Sequence, residues 1–98
     1  MLRAHLKDAL KTSMKKGDKL CVNTLRLILA ALKDRDIAAR SKGEGEHIGD
    51  EEILGMLQSM IRQRRESIER YEQGGRQELA RQQAEEIAII EQFMPAQL

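Results

Sequence analysis

The chain has no tryptophan, one tyrosine, Tyr71, and one phenylalanine, Phe93. Aromatic and β-branched strand formers are too scarce to fill a sandwich or barrel, so the core must be built from Leu, Ile, Met and Ala. That filling predicts an all-α fold. A single cysteine, Cys21, excludes an internal disulfide, a CxxC redox pair and a zinc knuckle, and suits a reducing compartment. No apolar stretch approaches the roughly 18 residues a spanning helix needs. The first nineteen residues also lack the apolar segment and cleavage site of a secretory signal. These absences lead to the expectation of a soluble, cytoplasmic protein with no membrane contact.

What is present is one small domain of 98 residues. A chain of this size buries about 60–65% of its unfolded surface, so its helices have to pack closely. The formal net charge of +1 conceals an uneven division. Residues 1–49 carry 11 Lys and Arg against 6 Asp and Glu, and residues 50–98 carry 6 against 10, or about +5 and −4. The imbalance is too mild to identify a nucleic-acid binder, and outer helix faces of opposite sign account for it.

Apolar residues recur at helical spacing in four runs, predicting helices at about 2–16, 18–41, 50–73 and 76–93. The first carries Leu2, Leu6, Leu10 and Met14 and stops at Lys15-Lys16-Gly17. Asp18 is placed to cap the second. Its apolar residues fall on two faces, Cys21, Val22, Leu25, Ile28, Leu29 and Leu32 on one and Leu20, Leu27 and Ala31 on the other. That pattern predicts a central helix packed on several neighbours. SKGEGEHIG, from Ser41 to Gly49, reads as a mobile connection, after which Asp50 is expected to cap the third helix. Gly74-Gly75 folds helices three and four into an antiparallel hairpin, and Pro95 stops the fourth. The expected architecture is a small bundle of four helices.

Catalytic constellations are missing. His5 and His47 share no metal-ligand spacing, no phosphate-binding GxxxxGK[ST] loop occurs, and Cys21 sits on an apolar helix face without a base fixed beside it. Neither a metal nor a cofactor is expected.

The arginines of helix three are the best candidate for a functional surface. Arg62 and Arg65 fall on its outer face, each with a glutamate at i+4, Glu66 and Glu69, and Arg70 and Arg76 follow toward the turn. Arg64 is different, because helical phase puts it in the middle of the Met60, Ile61, Ile68 stripe, where it needs a partner. Folding the hairpin about Gly74-Gly75 sets it opposite Glu85 and Glu86, so a structural pair of Arg64 with one of these is expected. Ile89 and Phe93 lie opposite the main apolar face of helix four. They are expected to meet helix one or two, or to form a strip for a protein partner.

Three segments, TLRLILAALKDRDI from Thr24 to Ile37, MIRQRRESIERYEQGGRQELA from Met60 to Ala80 and EEIAIIEQFMPAQL from Glu85 to Leu98, resemble the YqeY-like family of bacterial proteins, also called GatB/YqeY-domain proteins. The resemblance covers nearly the whole chain. It implies a helical bundle followed, after the segment written here as FMPAQL, by a smaller helical module similar to the tail of the amidotransferase subunit GatB. That module is expected to be missing after residue 98.

The resemblance further implies a link to tRNA-dependent amidation, a carbon–nitrogen ligase reaction with glutamine as amido donor. No activated nucleophile or acceptor-activating site for that chemistry is visible in the sequence. The expected role is accessory binding of tRNA or an amidotransferase subunit through Arg62, Arg65, Arg70 and Arg76. A protein-interaction scaffold docking through Ile89 and Phe93 is the alternative.

Overall fold

A computed structural model describes residues 1–95. The last residues of the FMPAQL segment, 96–98, and any junction they form lie outside the described residues. Four helices follow in order: α1 (Leu2–Lys16), α2 (Lys19–Ser41), α3 (Asp50–Gln73) and α4 (Gln77–Glu91). Helix four thus begins one residue later and ends two residues earlier than its periodicity predicts.

Local chemistry sets the breaks. Gly17 takes a left-handed φ of 70°. Its N–H donates to the Met14 carbonyl while that of Asp18 donates to Ser13, a paired closure that satisfies two end carbonyls of α1. Asp18 then serves α2, its carboxylate accepting from the N–H of Cys21 at 3.1 Å. Asp50 does not cap α3. Gly49 holds that position with no side-chain cap, and Asp50, Glu51 and Glu52 occupy the first turn, where they oppose the helix dipole.

Leu6, Leu25, Ile28, Leu57 and Ile90 are fully enclosed, joined by Leu32, Ile53, Met56 and Ile61. Each such side chain contributes roughly 1.5–3 kcal/mol, so the four helices stand or fall together. Helix α2 packs on α1, α3 and α4, as expected of a central helix, and Ala31 of its second apolar face meets the core. Leu27 of that face is 53% exposed, so its covering is incomplete there.

The connection between α2 and α3 is anchored at its far end. Ile48 is buried, and its N–H donates to Asp36 Oδ1 at 2.9 Å. Asp36 also receives Arg3 of α1 through Nη1 at 2.8 Å and Nη2 at 3.1 Å, and Arg3 Nη2 donates in turn to the Ile48 carbonyl at 3.1 Å. One carboxylate therefore ties together the start of α1, the late part of α2 and the loop entering α3. The hydrogen bonds from Arg3, joined by the Ile48 N–H, hold its pKa far below the usual carboxylate range despite burial, which opposes the shift. The Arg3 guanidinium is raised correspondingly, chiefly by its bond to Asp36.

Beyond the core, α3 and α4 continue as a pair. Between Ile61 and Ala80 no residue is fully buried and Ile68 alone of the apolar residues packs against the core, so beyond Ile68 this part of the hairpin is an arm that projects from the four-helix body. The 24 residues of α3 span about 36 Å at 1.5 Å per residue, in keeping with a molecule measuring 46 × 31 × 29 Å.

A candidate binding surface on the projecting hairpin

The arm is closed at its tip by backbone chemistry. Gly75, at φ 73°, donates to the Glu72 carbonyl, and the N–H of Arg76 donates to Tyr71 at 2.8 Å. This is the same closure that ends α1. It leaves Arg76 at the N-cap position of α4, with no side-chain cap on that helix. Arg70 and Arg76 thereby come to line one shallow cleft of ≈ 290 Å³, together with Ser67, Tyr71 and Gly74. Neither arginine engages a carboxylate within 4 Å among the described ion pairs. Two guanidinium groups beside a half-buried phenol suit an anionic group, with phosphate geometry the best match for their paired donors.

At its root the arm is fixed by Arg64. Its Nε donates to Glu86 Oε1 at 2.9 Å and its Nη1 to the Met60 carbonyl at 3.2 Å, while Glu86 Oε2 accepts from Gln82 at 3.1 Å. Both members of the pair are largely buried, and Glu85 is exposed and forms no ion pair with Arg64 within 4 Å among the described residues. A paired charge of this kind fixes the register of α4 on α3.

The remaining arginines are dispersed. Arg62 donates to Ser59 at 3.3 Å, and Arg65 reaches across to Glu91 of α4 at 3.8 Å. The expected pairs of Arg62 with Glu66 and Arg65 with Glu69 are not formed among the described residues. On a solvated surface an i,i+4 pair is worth only about 0.3–0.5 kcal/mol, which is too little to hold a long side chain against a neighbouring helix. Arg62 and Arg65 thus lie along the arm and not in the Arg70–Arg76 cleft.

The apolar strip of helix four is divided. Phe93 is 6% exposed and meets the His5 ring of α1 edge-on, with centroids 5.0 Å apart and planes at 67°. It belongs to the core and is not available to a partner. Ile89 is half-buried.

Cys21 and His47 lie away from the arm. The Cys21 thiol accepts a hydrogen bond from Ser13 at 2.9 Å, linking α2 to α1. His47 Nδ1 lies 3.6 Å from Asp36. Among the described residues no three His, Cys, Asp or Glu side chains gather where they would hold a metal ion, and no helix is long and apolar enough to cross a membrane.

Sequence reading missed the Arg3–Asp36 tie, although its signal was present. Asp36 continues the Leu25, Ile28, Leu32 spacing of α2, so it stands on the buried stripe as Arg64 does on that of α3.

Comparison with known proteins agrees with the segments that carried the resemblance. The family model described as Yqey-like protein matches residues 3–98. Curated relatives include the protein named "Altered inheritance of mitochondria protein 41, mitochondrial" from three yeasts. It is 34% identical over 93 residues in Eremothecium gossypii, covering 95% of this chain and 49% of the relative. In Kluyveromyces lactis it is 30% identical, covering 95% and 48%, and in Saccharomyces cerevisiae 29%, covering 91% and 46%. The chain spans about half the length of these relatives. They are eukaryotic and are named as mitochondrial, which corrects the expectation of a bacterial, cytoplasmic protein.

Proposed function

The chain belongs to the YqeY-like family, and from that premise we propose that it is a non-catalytic accessory module in tRNA-dependent amidation, binding tRNA through phosphate contacts on the projecting arm. Arg70 and Arg76 form the centre of the contact, and Arg62 and Arg65 extend it along α3. The observation that carries this reading is the cleft in which two arginines without carboxylate partners stand beside Ser67 and Tyr71. The arm supports it by shape, since the exposed outer face of a two-helix projection, with no fully buried residue from 62 to 79, can lie against a phosphate backbone without unfolding the core.

Binding of tRNA to the protein, measured by filter retention at two salt concentrations, tests the proposal. Phosphate contacts by a few arginines give an affinity that falls steeply as salt rises. Undetectable binding, or binding indifferent to salt, overturns the reading in favour of a protein-binding scaffold without a tRNA role.

A further inference from the structure

A second surface lies where α1 turns into α2. Met14, Gly17, Lys19, Val22, Asn23 and Arg26 line a groove of ≈ 340 Å³. Its floor is apolar and open: Met14 is 53% exposed, Val22 is half-buried, and nothing lies within 4 Å of where a Cβ on Gly17 would stand. One helical turn beyond Asn23, Leu27 is also 53% exposed, which prolongs the apolar track along α2.

The rim is cationic. Lys19, Arg26 and Lys33 recur every seven residues on the exposed side of α2, so they form a ridge beside the track, and Lys15 and Lys16 close the end of α1. None of these five meets a carboxylate within 4 Å among the described ion pairs. Two acids stand nearby. Asp18 is engaged as the cap of α2, and Asp34 is exposed further along the helix.

We infer that this groove docks an acidic amphipathic helix from another protein, seating one apolar side chain between Met14 and Val22 while its carboxylates meet Lys19 and Arg26. The apolar floor decides between the two anionic classes of partner. A nucleic acid offers this floor only sugar and phosphate, or bases that find no aromatic ring in the lining to stack on, whereas a helix with apolar anchors at i, i+3, i+4 and i+7 and acidic residues elsewhere matches both the floor and the rim. This surface is independent of the arginine cleft on the arm, and either can fail without the other.

The test uses a fluorescein-labelled helical peptide of leucine anchors on a glutamate background, with three controls: the same peptide with lysine for glutamate, one with serine for leucine, and oligouridylate RNA. Anisotropy is expected to rise only with the leucine–glutamate peptide, and amide shifts are expected to concentrate at Met14, Gly17, Val22, Asn23 and Arg26. Lys19→Glu with Arg26→Glu should weaken binding at least about tenfold, and Met14→Ser should also weaken it, with far-UV circular dichroism unchanged because all three side chains are exposed. The inference is overturned by no binding, by equal binding of the serine control, by oligouridylate taking the same residues in preference, or by self-association of the chain through the groove.

Discussion

Arg3 and Asp36, separated by 33 positions, meet in two hydrogen bonds of 2.8 and 3.1 Å, and Ile48 completes the contact from both its N–H and its carbonyl. The arrangement makes a loop end, a helix start and a helix interior mutually dependent. Arg3→Ala leaves a buried carboxylate and a backbone carbonyl without their donor and is expected to cost about 2–4 kcal/mol, read from chemical denaturation. A loss below about 0.5 kcal/mol would show that solvent replaces the guanidinium freely.

Acid should act through the same carboxylate. Because folding depresses the pKa of Asp36, its contribution is complete above the ordinary carboxylate range near pH 4 and declines as pH falls below it. Asp36→Asn should therefore be less stable than the parent at neutral pH but lose less stability on acidification. Parallel melting curves between pH 7 and pH 3 are the check, and identical acid sensitivity in both proteins would assign the effect to other groups.

A double-mutant cycle applies to Arg64 and Glu86. Each single replacement by an apolar residue strands a largely buried charge and should cost about 3 kcal/mol, while Arg64→Met with Glu86→Leu should recover most of that loss. Additive losses would mean that the 2.9 Å contact contributes no coupling.

At the arm's tip, Gly75→Ala should destabilise by roughly 1–2 kcal/mol from left-handed backbone strain alone, since a Cβ there meets nothing within 4 Å. The loss should appear chiefly as faster hydrogen exchange around the α3–α4 turn. Unchanged exchange there would mean the turn relaxes to another conformation at little cost.

For the arginine cleft, Arg70→Ala and Arg76→Ala should each weaken tRNA binding and lower the salt exponent by about one, with stability unaltered because both side chains are exposed. Arg62→Ala serves as a milder comparison from the outer face. Equal losses at all three positions would argue for diffuse attraction with no centre at the cleft.

How much of this could be read from the sequence depended on whether a signal was local. Helical periodicity, the Gly17 and Gly75 breaks and the misfit of Arg64 within an apolar stripe are short-range facts, and they specified the bundle and the hairpin. Asp36 showed the same misfit, but its partners come from a different helix and from a loop that spacing describes only as polar. Leu27 and Phe93 were open for a related reason, and of the alternatives for Phe93 the structure realises the contact with helix one. Periodicity tells which residues share a face and is silent about whether a neighbour covers it, so Leu27 proved exposed and Phe93 enclosed.

The arm has a consequence for how this protein can change over generations. Substitutions at the exposed positions between Ile61 and Ala80, sparing the Arg64 clamp, Ile68, Tyr71 and Gly75, disturb no packed interior, so most leave folding intact while altering charge and shape at the surface. Recognition can drift there almost free of the constraint that burial imposes on the rest of the chain, and a lineage could acquire a new partner at the tip before the body recorded any difference.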